Sequence, residues 1–311
     1  MSMPQVELNK VLQFEKAAEK KRAYARFGTG LLYLLPSLLL FTVFLFYPMV
    51  RTVYLSMHIT DAQGNPVTFV GVENFTYLFT SSAFLASAKA TALFVLYTVP
   101  AGVILALALA LLANSKMRGI GFFRTMFSST MGMSVAASSV IWMFMYNPTI
   151  GVMNRILTAL GFSEMQWLLD PSTALIAVSI ATIWMNTGFC FLILIGGLQN
   201  IDPQLYESAG IAGVSSGYKL SKITIPVLSP TLFFVVTVSL INAFQTFGQI
   251  DILTKGGPIE STNVIVYSIY KDAFINYNVG SASAQAVILF FCILIVTIVQ
   301  FKLGERRVHY Q

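Results

Sequence analysis

The sequence is short of charge. Only 10% of its 311 residues are Asp, Glu, Lys or Arg, against 56% hydrophobic, whereas a soluble domain carries roughly 25% charged residues. The shortage excludes an ordinary water-soluble globule and leaves a membrane protein. Cysteine is nearly missing too. Cys190 and Cys292 both sit in apolar runs, so they form no disulfide framework, and without a nearby histidine neither makes a metal site; both read as small packing residues. His58 and His309 are the only histidines and fall at opposite faces of the expected membrane domain, so no Ser/His/Asp or Cys/His set can assemble. No Gly-x-x-x-x-Gly-Lys-Ser/Thr run exists, which excludes ATP hydrolysis by the phosphate-loop route. The apolar runs also hold no buried carboxylates of the kind a proton-coupled carrier needs. No enzyme activity, metal or bound cofactor is expected of this chain.

What is present is length without charge. Six stretches are long enough to cross about 30 Å of hydrocarbon: Leu31–Val50, Thr91–Ala113, Met126–Met145, Thr173–Leu198, Thr231–Phe247 and Ala284–Phe301. The expected fold is therefore all-α and polytopic, with a domain of six transmembrane helices over residues 28–311. Residues 1–27, with Val6, Leu8, Val11, Leu12 and Phe14 among Glu and Lys, read as an amphipathic segment along the inner surface. That segment is too long and acidic for a removable leader, so the first span is expected to stay. Basic residues between spans set orientation. Fourteen lie in the N-terminal segment, the loop after span two, the loop after span four and the C-terminal tail, while the alternate side has three within its loops (Arg155, Lys255, Lys271) and two at its span edges (Arg51, Lys89). Both termini are thus expected in the cytoplasm. The net charge of +6 reflects topology and not nucleic-acid binding.

Polar residues inside the spans are the next signal. Asn242, Gln245, Thr246 and Gln249 recur at i, i+3, i+4 and i+7, which puts them on one face if the helix is continuous. Asn186 and Thr187 lie at comparable depth in span four. Amides at that depth either glue helices together or line a wet passage, and the stripe favours the passage. Span three carries Ser128, Ser129, Ser134, Ser138 and Ser139 and is expected in the interior. Outside the spans, Val67–Val70 reads as a short strand, Asn74–Phe79 and Gly151–Gly161 as short helices, and Lys255-Gly256-Gly257-Pro258 as a turn before a helix over Asn263–Phe274.

The loop over about 199–229 carries the most specific pattern. Asp202-Pro203 is a helix start, since the carboxylate can accept from free N–H groups and proline suits the first helical position. Gly210 and Gly213 weaken the far end, Ser215-Ser216 offers a new N-cap, and Tyr218–Ile225 can form a short helical turn before Pro226, after which span five begins. Glu207-Ser208-Ala209, Gly213, and Ile223-Thr224-Ile225-Pro226 resemble the EAA loop of permease subunits in ABC importers, with Ser208 and Ile225 replacing the usual Ala and Leu. Phe69–Phe75, Gly256–Pro258, Ser281–Gln285 and the Val308–Gln311 tail extend the resemblance to permeases of the carbohydrate and glycerol-3-phosphate type.

The resemblance implies the type I permease fold in a bacterial inner membrane. It implies that Glu207, Ser208, Ala209, Gly213, Ile223 and Pro226 dock on a cytoplasmic ATPase. It also implies a second permease subunit, a dimer of ATP-binding subunits that uses the ATP, and an extracytoplasmic solute-binding protein. For the solute, glycerol-3-phosphate follows from the resemblance alone, because anions are normally met by Arg, Lys or helix N-termini and the span edges offer only Arg51 and Lys89. A neutral oligosaccharide suits the amide stripe equally well. A secondary transporter or a channel is the more distant alternative.

Overall fold

The computed structural model describes residues 20, 26–27, 29–115 and 117–305. The expected amphipathic segment lies outside them except for Lys20, Arg26 and Phe27, and so does the Val308–Gln311 tail. The described chain forms two units, one ending at Tyr54 and one beginning at Leu55. The first consists of most of helix α1, Thr29–Ser56, whose length of about 42 Å at 1.5 Å per residue exceeds the hydrocarbon thickness. A π-turn at Thr42–Phe46 precedes Pro48 in α1, and Tyr47 N–H closes it onto the Thr42 carbonyl.

The second unit opens with a hairpin, β1 His58–Thr60 against β2 Pro66–Phe69, antiparallel with His58 opposite Phe69. Helix α2, Glu73–Thr80, is tied to it by Asn74, whose amide donates to the Ser56 and His58 carbonyls at 2.9 and 3.1 Å. Helix α3, Ser82–Ala113, starts nine residues before the expected span because Ser81 caps it, its hydroxyl accepting from Phe84 N–H. Buried Ala106 and Ala110 let α3 lie close to its main neighbour, α7 (Ala174–Gln199).

The third expected span is not one helix. Helix α4, Ile120–Ser128, runs into a 3-10 turn at Ser129–Gly132, and α5, Val135–Met145, leaves at 106° to it. Ser134 restarts the helix by accepting from Ala137 N–H at 3.1 Å. Tertiary contact holds the elbow: the Thr130 hydroxyl accepts from Gly188 N–H at 3.0 Å, and a β-carbon on Gly188 would come within 2.8 Å of the Met131 nitrogen. Apolar continuity in the sequence could not reveal this, because the break is made by a glycine on another helix. Non-helical backbone at such depth needs cover by protein or a wet cavity, and α7 covers it. The spans therefore comprise five continuous helices and one broken pair.

After α6, Val152–Ala159, comes a loop organised by Asn154, which bonds the Pro148 and Met165 carbonyls, Met165 N–H and the Trp167 indole. Helix α7 then leads to α8, Pro203–Ile211, and α9, Ser216–Phe244. Helix α10, Gly248–Leu253, packs on α5, and α11, Ile265–Tyr270, leads to α12, Val279–Glu305. The core follows α3, α7 and α9, with Phe94, Val178, Phe191, Leu194, Leu228 and Val235 among its most buried side chains.

Candidate functional site

The loop between α7 and α9 is built by local hydrogen bonds. Asp202 accepts from Gln204 N–H at 2.9 Å and Pro203 takes the first turn of α8. The far end closes as a Schellman motif. Val214 N–H reaches back to the Ala209 carbonyl at 3.3 Å and Gly213 N–H to that of Gly210 at 3.1 Å, with Gly213 at φ +69°. In that left-handed conformation a β-carbon costs about 1–2 kcal/mol, which gives the glycine six residues after Glu207 its physical reason. Gly210, by contrast, stays inside the helix.

Ser215 caps the next segment, accepting from Tyr218 N–H. That segment is no isolated turn, and span five does not wait for Pro226. Helix runs from Ser216 through a π-turn at Leu220–Thr224 into Ile225–Phe244 without interruption. The wider turn lets Pro226, which has no N–H, enter a continuing helix. Pro230 would orphan the Pro226 carbonyl four residues back, and the Ser229 hydroxyl fills the gap at 2.6 Å. The second half of this loop, from Ser216 to Pro226, is therefore the first three turns of α9.

Helix α8 has two faces. Tyr206 and Ala209 turn inward, Ala209 being 8% exposed, while Glu207, Ser208 and Ile211 face outward, Ile211 at 91% exposure. The expectation that Ala209 lies on the docking surface does not survive, because its i+3 relation to Tyr206 puts it on the packed face. Tyr206 is the residue that sequence reasoning missed. Its hydroxyl bonds that of Thr224 at 3.0 Å, and together with Lys219 they face Leu111 and Asn114 of α3 and Leu198 of α7 around a cavity of about 330 Å³. Ile223 and Pro226 are half-buried. Glu207 makes no ion pair among the described residues.

The amide stripe divides. Helix α9 ends at Phe244, and Gln245–Phe247 are not helical before α10 begins, so Asn242, Gln245, Thr246 and Gln249 do not share one helical face. Asn242 and Gln245 are exposed. Thr246 and Gln249 are buried at 7% and 5%, the threonine hydroxyl donating to the Asn242 carbonyl and the Gln249 amide to the Met185 thioether at 3.6 Å. The periodicity failed because it presupposed an unbroken helix.

Asn186 and Thr187 instead border a cleft of about 20 Å³ between α3, α7 and α9, lined also by Thr98, Thr182, Cys190 and Ser239. Thr98, Thr182 and Thr187 donate to carbonyls of their own helices, while the Asn186 carboxamide has no hydrogen bond among the described residues. The cleft holds about one water. Thr98, Thr182 and Ser239 were not legible beforehand, since a single hydroxyl in an apolar helix ordinarily bonds its own backbone.

Comparison with known proteins gives these sites their context. Residues 99–310 match the model of the family described as binding-protein-dependent transport system inner membrane component. The sn-glycerol-3-phosphate transport system permease protein UgpA of Agrobacterium fabrum is 38% identical over 278 residues, covering 88% of this chain and 94% of that protein. UgpA of Brucella suis is 37% identical over 89% of this chain and 94% of its own length, and that of Yersinia pestis 32% over 90% and 95%. Among solved structures, a chain of the bacterial alginate ABC transporter in complex with a periplasmic protein superposes with a TM-score of 0.77 at 22% identity, covering 93% of this chain and 96% of that one. At that identity the likeness concerns the fold, which is the type I permease fold anticipated from sequence. The extent of these matches, over a chain with five continuous spans, one broken span and a self-capped loop, makes it a member of the family of inner membrane components of binding-protein-dependent transport systems.

Proposed function

We propose that this chain forms half of the translocation pore of an ATP-driven importer for sn-glycerol-3-phosphate or a related polar solute. In this reading the loop from Glu207 to Pro226 engages a separate ATPase. The observation that carries it is the geometry of α8. Its outward face presents Glu207, Ser208 and Ile211, while its inward face is joined through Tyr206 and Thr224 to a helix continuous with span five. A push on the outward face is thereby delivered to a membrane helix through rigid backbone.

The solute reading is supported by relatives at 32–38% identity that carry the glycerol-3-phosphate permease name. The partners in this reading are a second permease, a dimer of ATP-binding subunits that supplies all nucleotide binding, and an extracytoplasmic solute-binding protein. The chain sits in a bacterial inner membrane with both termini in the cytoplasm, as the count of basic residues supports. Asn186, Asn242 and Gln245 face the solute path; Thr187, Thr246 and Gln249 brace its wall.

A neutral oligosaccharide is the second reading, favoured by the cleft beside Asn186, whose polar groups are all hydroxyl, thiol or amide. Reconstitution of the complete importer in proteoliposomes separates the two. Uptake of labelled glycerol-3-phosphate that requires the ATPase and the binding protein is the expected result. Uptake of sugars alone selects the second reading, and uptake without any ATPase replaces both with a channel or secondary transporter.

A further inference from the structure

At the opposite end of α3 and α7 from the coupling loop lies a cavity of about 300 Å³, bounded by Lys89, Leu93 and Tyr97 of α3, Leu175 of α7, and Glu260 and Ser261 of the loop before α11. We propose that this cavity binds a phosphate-bearing group, with Lys89 as its cation. The proposal rests on the reading that the transported solute carries phosphate. Its volume is at the lower end of the roughly 300–1,000 Å³ of small-molecule sites.

Four features point to an anion. Lys89 is exposed and forms no ion pair among the described residues. The one carboxylate in the cavity wall, Glu260, is already engaged by Lys271 at 2.7 Å. The Ser261 hydroxyl is buried at the cavity with no hydrogen-bond partner, and burying such a group without a partner is unfavourable. The Tyr97 hydroxyl also has no bond among the described residues. An ammonium and the free Tyr97 hydroxyl, with the unpartnered Ser261 hydroxyl buried in the same wall, suit the several acceptor oxygens of a phosphate better than one planar carboxylate.

The loop is shaped to keep this arrangement. Ile259 and Glu260 both hold left-handed backbone, at φ 47° and 61°, a conformation that persists in non-glycine residues only where the surroundings impose it. That course carries Glu260 to Lys271. Ser172, also on the wall, donates its hydroxyl to Asp170 at 2.7 Å and so offers a phosphate nothing. Leu93 and Leu175 supply an apolar floor for a short carbon skeleton. The phosphate can belong to a soluble monoester or to a phospholipid headgroup; the chemistry at Lys89 is the same.

The test reads the site without relying on transport. The assembled importer in phosphatidylcholine vesicles is treated with an amine-acylating reagent, and Lys89 modification is followed by mass spectrometry. Inorganic phosphate is expected to slow acylation of Lys89 about fivefold at constant ionic strength, as for occupancy of a charged hydrogen-bonding site; chloride is not. The same protection by phosphatidylglycerol in the vesicles, with no further effect of phosphate, assigns the site to lipid. If phosphate competes with solute at this site, added inorganic phosphate slows glycerol-3-phosphate uptake by the parent; Lys89→Gln should weaken that inhibition by a similar factor, and Lys89→Arg should retain it. Protection without any glycerol-3-phosphate uptake by the parent complex sinks the solute reading and leaves the site. Acylation unaffected by both phosphate and phosphatidylglycerol overturns the proposal.

Discussion

Helical backbone stops at Ala212–Ser215, between α8 and α9, and again at Met133–Ser134 and Gln245–Phe247, within the third and fifth spans. The first stop is exposed and complete in itself: Gly213 turns left-handed, Val214 and Gly213 close the end of α8, and Ser215 opens α9. The other two are held from outside, the elbow by Gly188 of α7 and the later break by α10 lying on α5. A turn that satisfies its own N–H and C=O groups can sit in water on any scaffold. A break at membrane depth cannot, because each freed backbone group needs a partner there. The exposed turn leaves its outward face unpacked, whereas the buried breaks fix the interior of the helices.

The largest effect expected from this contrast is at Gly188. A side chain there meets the Thr130 hydroxyl and the Met131 backbone nitrogen at 2.5 and 2.8 Å, and backbone cannot step aside as a flexible side chain can. Gly188→Val should destabilise the bundle by about 1–3 kcal/mol, seen as a lower thermal midpoint of the purified complex and a lower yield of assembled importer. A parent-like midpoint would show that the elbow is not held by this contact.

The exposed turn should respond in the opposite way, with assembly kept and coupling lost, the backbone cost of a side chain at Gly213 staying within the turn itself. Glu207→Lys reverses a charge on an outward face, and Gly213→Asp puts a side chain and a second negative charge at a left-handed position. A desolvated charge pair left without its partner costs a few kcal/mol, so binding-protein-stimulated ATP hydrolysis should fall about tenfold or the ATPase should be released. Membrane insertion and permease level should stay normal. Wild-type retention of the ATPase and wild-type stimulation in both variants would remove this loop from the coupling path.

The two halves of the amide stripe give a smaller effect and a cleaner division. Gln245 is exposed and Gln249 buried beside Met185. Gln245→Leu should reduce uptake severalfold and leave the thermal midpoint alone, since no buried partner is lost. Gln249→Leu exchanges a weak bond to sulfur for apolar packing and should change stability by about 1 kcal/mol or less, a small shift in the thermal midpoint. If Gln245→Leu instead dissolves the complex while uptake per assembled importer is unchanged, that residue is packing and not passage.

Sequence revealed these regions unevenly for the same physical reason. Asp202, Pro203, Gly213 and Ser215 act on backbone within a few residues of themselves, so the helix, the turn and the restart could all be read from their order. Pro226 misled, because a π-turn upstream and the Ser229 hydroxyl together let helix pass through two prolines. Asn242 to Gln249 misled further: periodicity describes a helix that continues, and whether it continues is decided by α5 and α7, far away in sequence. The cleft at Asn186 combines hydroxyls from three helices and has no linear signature. The number and order of the spans, in contrast, follow from composition alone, although their ends do not: α3 begins at Ser82 and α9 at Ser216, both well before the apolar runs.

The smallest effect belongs to a second exposed turn, which sharpens the comparison because it too is locally made. Asp61 in the hairpin loop accepts from Gln63 and Asn65 N–H at 3.0 and 2.7 Å and from the Asn65 side chain at 3.1 Å. Hydrogen bonds from the Asn65 backbone first, then from its side chain, hold the Asp61 carboxyl below its ordinary value, outweighing slight burial. A carboxylate with a lowered folded pKa stabilises the turn at pH values above its unfolded pKa of about 3.9, and the benefit is lost as pH falls through the lower folded value. Asp61→Asn keeps the shape but removes the charge. At neutral pH the loop amides of the variant should exchange hydrogen faster than those of the parent, and the difference should vanish once both are acidified below the folded pKa. Only residues 61–66 should respond, with α8 and α9 unmoved. Equal exchange in the two proteins at neutral pH would mean that Asp61 holds the turn by shape alone, as Gly213 does.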